Sequence, residues 1–238
     1  MSATVSHFQP TRWTLIAEAN GPDRSIARAA LEKLCATYWY PLYAYTRRRG
    51  HAPEDAEDLV QGFFLRLIER DYFAAASKER GRLRSFLIHQ LECHLADESR
   101  RRTAAKRGGG QPLVSIDISQ AELLYAAELC TEETPESLYH RRWALTLLSE
   151  ALSCLESECE SAEFTLLKPA LTEATAKALD TVAVARALGI PRDQVRVRVH
   201  RLRARFRGVL RERVAATLHT ACVSELEQEM QSLLALLR

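Results

Sequence analysis

The chain has 238 residues, a formal charge of +2 at neutral pH, 47% hydrophobic residues, nine glycines and eight prolines. Alanine, leucine, glutamate and arginine dominate, which favours an all-helical protein of one or two domains, each able to bury a core. Six cysteines stand without a CxxC pair or zinc-finger spacing to histidine, and no apolar run approaches membrane-spanning length. The expectation is therefore a cytoplasmic protein with reduced, mostly buried thiols, no secretory signal, no membrane segment, no metal and no cofactor.

In chain order, residues 11–107 read as one helical unit. Thr11 is placed to cap a first helix through Trp13, Leu15 and Ile16. A second run from Ala27 leads into the cluster Tyr38, Trp39, Tyr40, Pro41, Leu42 and Tyr43, whose plain reading is core packing between helices. Pro53 opens a helix whose first turn is acidic, as the helix dipole favours, with Glu54, Asp55, Glu57 and Asp58. Its apolar face continues through Leu59, Val60, Phe63, Phe64, Leu67 and Ile68. Adjacent Phe63 and Phe64 do not share one face, so one of the two rings is expected to be partly exposed.

A loop over residues 71–81, with Tyr72 and Phe73 at its start, precedes a long helix from about Leu83 to Arg102. Phe86, Leu87, Leu91, Leu95 and His94 form its inner stripe. Residues 80–107 carry a net charge of +5, with Arg82, Arg84, Arg100, Arg101, Arg102, Lys106 and Arg107 among the cations. Gly108, Gly109, Gly110 and Pro112 then break the chain, without the Lys-Ser/Thr of a phosphate loop. Residues 108–140 hold no lysine or arginine but six acids. They read as a flexible acidic linker, suited to mimic nucleic acid within a positively charged channel.

The second helical unit, 141–213, contains Trp143, Leu145, Leu147, Leu148, Leu152 and Leu155, then Phe164, Leu166 and Leu167. At its end a short helix stops at Gly189, whose left-handed backbone terminates it, and Pro191 starts another. On that second helix Val195, Val199, Leu202 and Phe206 form one buried stripe. Val195 to Val199 also alternates with period two, which taken alone reads as a strand; the helical flanks outweigh it. Residues 186–213 hold ten arginines against Asp193 and Glu212, a density hard to justify without a polyanion. A short helix bracing a basic one is the helix-turn-helix layout, whose second helix enters the DNA major groove. In residues 214–238, Val223, Leu226, Met230, Leu233, Leu234 and Leu237 form an amphipathic stripe expected to bury on the second unit, with a partner helix as second choice.

With these motifs in order, the chain resembles bacterial sigma factors of the sigma-70 family, in the extracytoplasmic-function (ECF) group. The resemblance runs from about Ala29 to Arg213. Asp55-Ala-Glu-Asp-Leu-Val-Gln61 with Phe63 and Phe64 resembles the segment that docks on the polymerase beta-prime coiled coil. It implies polymerase contacts by Asp55, Glu57, Asp58, Leu59, Gln61, Phe63 and Phe64. Arg84-Ser-Phe-Leu87 through Asp97 to Arg102 resembles the helix that melts and reads the minus-ten element, with the aromatic loop at Tyr72 and Phe73 suited to stack bases. Leu188 to Arg198, through His200 to Arg203, resembles the helix that reads the minus-thirty-five element. There Arg192, Gln194, Arg196, Val197, Arg198, His200, Arg201 and Arg203 are the DNA-facing candidates, with Arg196, Val197, His200 and Arg201 at bases or nearby phosphates.

The resemblance implies core RNA polymerase (beta-prime and beta subunits) and promoter DNA as partners, with an anti-sigma factor as a further candidate, and a nucleoid-associated place in the cytoplasm. The sequence departs from the family pattern at Gly62, where an acid is common, at Glu92 and Cys93, and in the missing Leu-Pro turn at Cys154-Leu-Glu156. Two alternatives remain within DNA binding and polymerase binding: a free-standing helix-turn-helix regulator and a degenerate sigma-like protein. An enzyme is disfavoured, because no catalytic constellation or cofactor loop is visible and helix capping explains the carboxylates.

Overall fold

The computed structural model describes residues 12–19, 21–69, 82–104, 117–127, 133–159, 161–172, 179–218 and 222–237. The expected loop 71–81, Thr11, the Gly108–Gly110 break, Lys106, Arg107 and Cys130 lie outside them. The described residues form eleven helices: α1 (Arg12–Ala19), α2 (Arg24–Arg48), α3 (Pro53–Glu69), α4 (Leu83–Ala104), α5 (Ile118–Ala126), α6 (Pro135–Glu158), α7 (Ser161–Leu167), α8 (Pro169–Thr172), α9 (Thr181–Leu188), α10 (Arg192–Ala216) and α11 (Val223–Ala235). The fold is all-α, as the composition predicts. The period-two stretch Val195 to Val199 lies inside α10, because its helical flanks carry the local choice.

The chain divides into two compact units, residues 1–145 with 215–238, and residues 146–214. In the first, Asp23 caps α2, its carboxylate accepting from the Ser25 amide at 2.8 Å. The aromatic cluster is core, as expected: Tyr38, Trp39, Leu42 and Tyr43 are buried, and the Trp39 and Tyr43 rings stack at 4.9 Å. Pro41 sits inside α2, removing one backbone donor without ending the helix. α3 packs against α1, α2, α4 and α5. That embedding corrects the expectation for Phe63 and Phe64: both rings are buried, because partners cover two faces of α3 rather than one.

Two further corrections concern the acidic connector and the tail. Part of the stretch expected as a flexible linker is the helix α5, capped by Asp117. Its Tyr125 is buried in a cluster with Ala44 and Leu138. Its Glu122 accepts from Arg47 Nε at 2.7 Å and Nη2 at 3.0 Å, and from the Tyr43 hydroxyl. Among the described acids of this stretch, Glu133 likewise holds Arg141 at 2.7 Å. The tail helix α11 belongs to the first unit, not to the second as its stripe suggested. What draws it there is a pair of arginines at the start of α4, described below.

The second unit, by itself, packs the later turns of α6 with α7, α8, α9 and α10 around Ala151, Leu155, Phe164, Leu167, Val184, Val195, Leu202 and Val209. Burying each large apolar side chain contributes about 1.5–3 kcal/mol. These are the residues that hold α10 with one fixed face outward.

Candidate nucleic-acid interface

The α9–α10 pair is built from local signals. Asp180 accepts from the Val182 and Ala183 amides at 3.0 Å, capping α9. Gly189 has φ +64°, and the Ile190 amide returns to the Ala185 carbonyl at 3.0 Å, closing the helix end. Val195 and Leu202 are buried as the stripe predicts, while Val199 and Phe206 are half-buried.

The arginines of α10 fall into two sets. Arg198 donates to Glu163 at 2.7 Å, Arg205 to Glu158 at 2.7 and 2.9 Å, and Arg203 to the Ala170 carbonyl at 3.0 and 3.1 Å. Arg192 donates to the Thr181 hydroxyl at 2.9 Å. These four brace α10 against its own unit. Gln194, Arg196, Val197, His200 and Arg201 are exposed, and no protein partner engages them among the described residues. Arg196, Val197, His200 and Arg201 recur at one, three and one, a single outward face. Val197, 48% exposed between arginines, gives that face an apolar point. Guanidinium forks match guanine edges or phosphates, and a small apolar group suits a thymine methyl. Of the expected DNA-facing residues, Arg192, Arg198 and Arg203 therefore also have structural work.

In the first unit, α4 buries Leu83, Leu87, Leu91, His94 and Leu95, much as expected. Phe86 is half-buried, its ring 5.2 Å from Trp13. Ser85, His89, Cys93, Ala96 and Arg100 line the exposed face at spacings of four, four, three and four. Arg100 and Arg101 are exposed and, among the described residues, pair within their own helix, with Asp97 at 3.8 Å and Glu98 at 3.0 Å. Arg102 ends the described cationic run in α4. Glu92 turns inward and accepts from the Tyr45 hydroxyl at 2.8 Å, so it does not oppose an approaching phosphate from the exposed face.

Arg84 is the departure. It is 5% exposed, lies 4.7 Å over the Trp143 ring, and donates to Glu229 of α11 at 2.7 and 3.2 Å. Arg82 reaches the same carboxylate at 2.7 Å. A third Arg84 nitrogen donates to His140 Nδ1 at 2.8 Å. Arginine has no acceptor, so Nδ1 must be unprotonated; burial, then the Arg84 charge, push His140 down to about 4. Sequence reasoning missed Glu229 and His140 as members of this basic cluster. A readable signal existed: Glu229 falls three after Leu226 and four before Leu233, an acid on the apolar stripe.

On α3, Leu59, Phe63 and Phe64 are buried, which leaves Asp55, Glu57, Asp58 and Gln61 as the reachable members of the expected polymerase set. Gln61 donates to Glu57 at 2.8 Å, and burial with the neighbouring Asp58 raises the Glu57 carboxyl above its usual range. Gly62 faces α4: a Cβ there would lie 3.5 Å from His94 Nε2. Arg66 beside it donates to Asp97 at 2.6 Å.

A family model described as ECF sigma factor matches residues 29–212, more than three quarters of the chain. The chain belongs to the ECF sigma factor family. Neither a curated protein nor a solved structure matched it. As an ECF sigma factor it serves in transcription initiation, directing RNA polymerase to promoters, and sigma factors in general are not enzymes. Core RNA polymerase and promoter DNA are the partners of this family, often with an anti-sigma factor. No described helix is long and apolar enough to cross a membrane. The matched range includes α9 and most of α10 but ends before α11.

Proposed function

We propose that this ECF sigma factor docks on the beta-prime and beta subunits of core polymerase through the acidic face of α3, with Asp55, Glu57, Asp58 and Gln61 in contact. The first unit then takes and melts the minus-ten region along α4, using Arg100, Arg101 and Arg102 with Lys106 and Arg107. The second unit reads the minus-thirty-five duplex with Arg196, Val197, His200 and Arg201, steadied at its edges by Gln194 and the braced arginines. Its place of action is the nucleoid in the cytoplasm.

The observation that carries this reading is the outward face of α10, where exposed cations without protein partners flank an exposed valine. A protein with no polyanion partner gains nothing from such a face, since its charges only repel one another. Opening a promoter also needs a second basic surface beside unstacked bases, and α4 supplies cations at its C-terminal end.

Run-off transcription with sigma-free core polymerase over a pooled library of genomic promoter fragments tests it. Core-dependent transcripts from a discrete promoter set are expected. Co-elution with core but no transcript would refute the promoter-opening role, and neither transcript nor co-elution would refute the polymerase role as well.

A further inference from the structure

The helix α11 lies beyond the matched family range, yet its central acid is the most completely buried charge of the first unit's basic cluster. Glu229 is 0% exposed, and its two oxygens accept from Arg82 Nε and Arg84 Nε, each at 2.7 Å. His140, neutral at Nδ1, adds no charge. One carboxylate therefore faces two guanidinium ions inside the fold.

Stability alone does not call for this arrangement. Burying an ion pair costs desolvation of both members, and well-packed apolar residues of similar volume often do as well or better. Glu229 occupies a stripe position where leucine continues the pattern of Leu226 and Leu233. The cluster is thus specific rather than generic packing. A carboxylate and a phosphodiester are both singly charged acceptors with two oxygens, and the arginine fork fits either.

The geometry is also that of a detachable element. Within α11 only Glu229 and Leu233 are fully buried, while Val223 and Leu234 are 73% and 51% exposed. A helix of 13 residues is marginal alone in water, so α11 off its seat is expected to unfold rather than persist. Its seat is the N-terminal end of α4, about 24 Å from Arg100 at 1.5 Å per residue. The exposed face from Ser85 to Arg100 runs between them. The connector is pinned there too, with Arg82 bridged to Leu218 and the Leu83 amide donating to the Thr217 carbonyl at 3.4 Å.

We propose that α11 is a built-in lid on a phosphate-binding site: Glu229 occupies the Arg82–Arg84 pair, and when α11 leaves, the pair takes the backbone of promoter DNA. The lid lowers the affinity of the first unit for DNA until something displaces the helix. This rests on the assignment of α4 to promoter DNA, and adds that its N-terminal cations are masked by the chain itself.

The test uses the full chain as wild type, Glu229→Ala and Glu229→Gln, with a chain ending after Leu218 as a fourth form. Fluorescence anisotropy with labelled single-stranded and duplex oligonucleotides is read across a salt series, and hydrogen exchange of residues 223–235 reports whether α11 has left. Faster exchange in Glu229→Ala is expected, with roughly tenfold tighter single-strand binding at low salt. The slope of log affinity against log salt is expected to steepen by about 1.4, the share of two added phosphate contacts. Adding Arg84→Ala to Glu229→Ala is expected to remove most of that gain. Should the truncated chain fail to fold, the point variants carry the test. Unchanged affinity with α11 released overturns the proposal, as does an α11 that stays protected in Glu229→Ala. A gain for core polymerase without a gain for DNA overturns it in favour of a protein ligand. Co-elution of the wild type with core polymerase is read separately, so a failed lid and a failed sigma assignment give different results.

Discussion

Replacing the α10 arginines one at a time separates those that face DNA from those that hold the helix. Arg196 and Arg201 have no protein partner among the described residues, so Arg196→Ala and Arg201→Ala should change folding stability by no more than about 0.5 kcal/mol. On DNA each should cost about 1–3 kcal/mol if the side chain reads a base edge. A phosphate contact would instead weaken all sequences alike and flatten the salt slope by about 0.9. Arg198 is different: its side chain is 37% exposed and its partner Glu163 28%. A pair so placed is screened in part by solvent and contributes about 0.5–1 kcal/mol, so Arg198→Ala should lower stability by that amount. Arg205 and Glu158, at 51% and 37%, should contribute less. The assays are urea unfolding and anisotropy on a duplex drawn from the transcribed promoter set. If Arg198→Ala costs as much DNA affinity as Arg196→Ala while leaving stability unchanged, the division of α10 into a bracing set and a reading set is refuted.

Three further outcomes follow from the first unit. Glu122→Ala should cost about 1–2 kcal/mol and speed exchange in α5, because it strips a bidentate charged pair and a tyrosine bond, whereas Glu32→Ala, in a pair 82% and 56% exposed, should stay within about 0.5 kcal/mol by the same urea assay. Gly62→Ala should raise stability by about 0.5–1 kcal/mol, since the added methyl meets His94 at ordinary contact distance and the unfolded chain loses freedom; a lower urea midpoint would show that the space at α4 is tighter than 3.5 Å implies. His140 is neutral in the fold down to about pH 4 but takes a proton near 6.5 when unfolded, so the unfolded chain binds more protons in that window. Stability should be full above pH 6.5 and fall towards pH 4, by about 1–2 kcal/mol from this group after solvent screening, and His140→Asn should flatten that part of the urea-midpoint profile relative to wild type.

The parts of this protein legible in its sequence are those fixed by near neighbours in the chain. Gly189 and Pro191 mark the α9–α10 turn because a left-handed residue and a restricted one act locally. The buried members of α10 and α4 follow from helical spacing. The fate of each arginine does not, since Glu158, Glu163 and Ala170 reach α10 from segments 33 to 47 residues away. Composition likewise hid α5: the acids of residues 108–140 read as solvated linker, yet Glu122 is a tertiary contact 75 residues from Arg47. Phe63 and Phe64 depart from the helical expectation for the opposite reason, because helical spacing assumes one buried face and α3 has two.

The tail shows why a pattern can be right and its destination wrong. The stripe of α11 establishes that one face must be covered, but apolar area is non-directional and names no partner. Hydrophobic burial alone therefore leaves the choice open. The charge at Glu229 closes it. A carboxylate on the buried face is tolerable only where donors meet it, and an unpaired one costs several kcal/mol or is protonated. Arg82 and Arg84, two residues apart at the head of α4, present two guanidinium charges, and Glu229 is the acid that the stripe brings to them. Specificity of seating thus comes from the one residue that breaks the hydrophobic pattern. The same residue sets the conditions for release, because a phosphodiester presented to both guanidinium groups competes for the bonds that hold the helix. A helix anchored by leucines alone would have no such competitor.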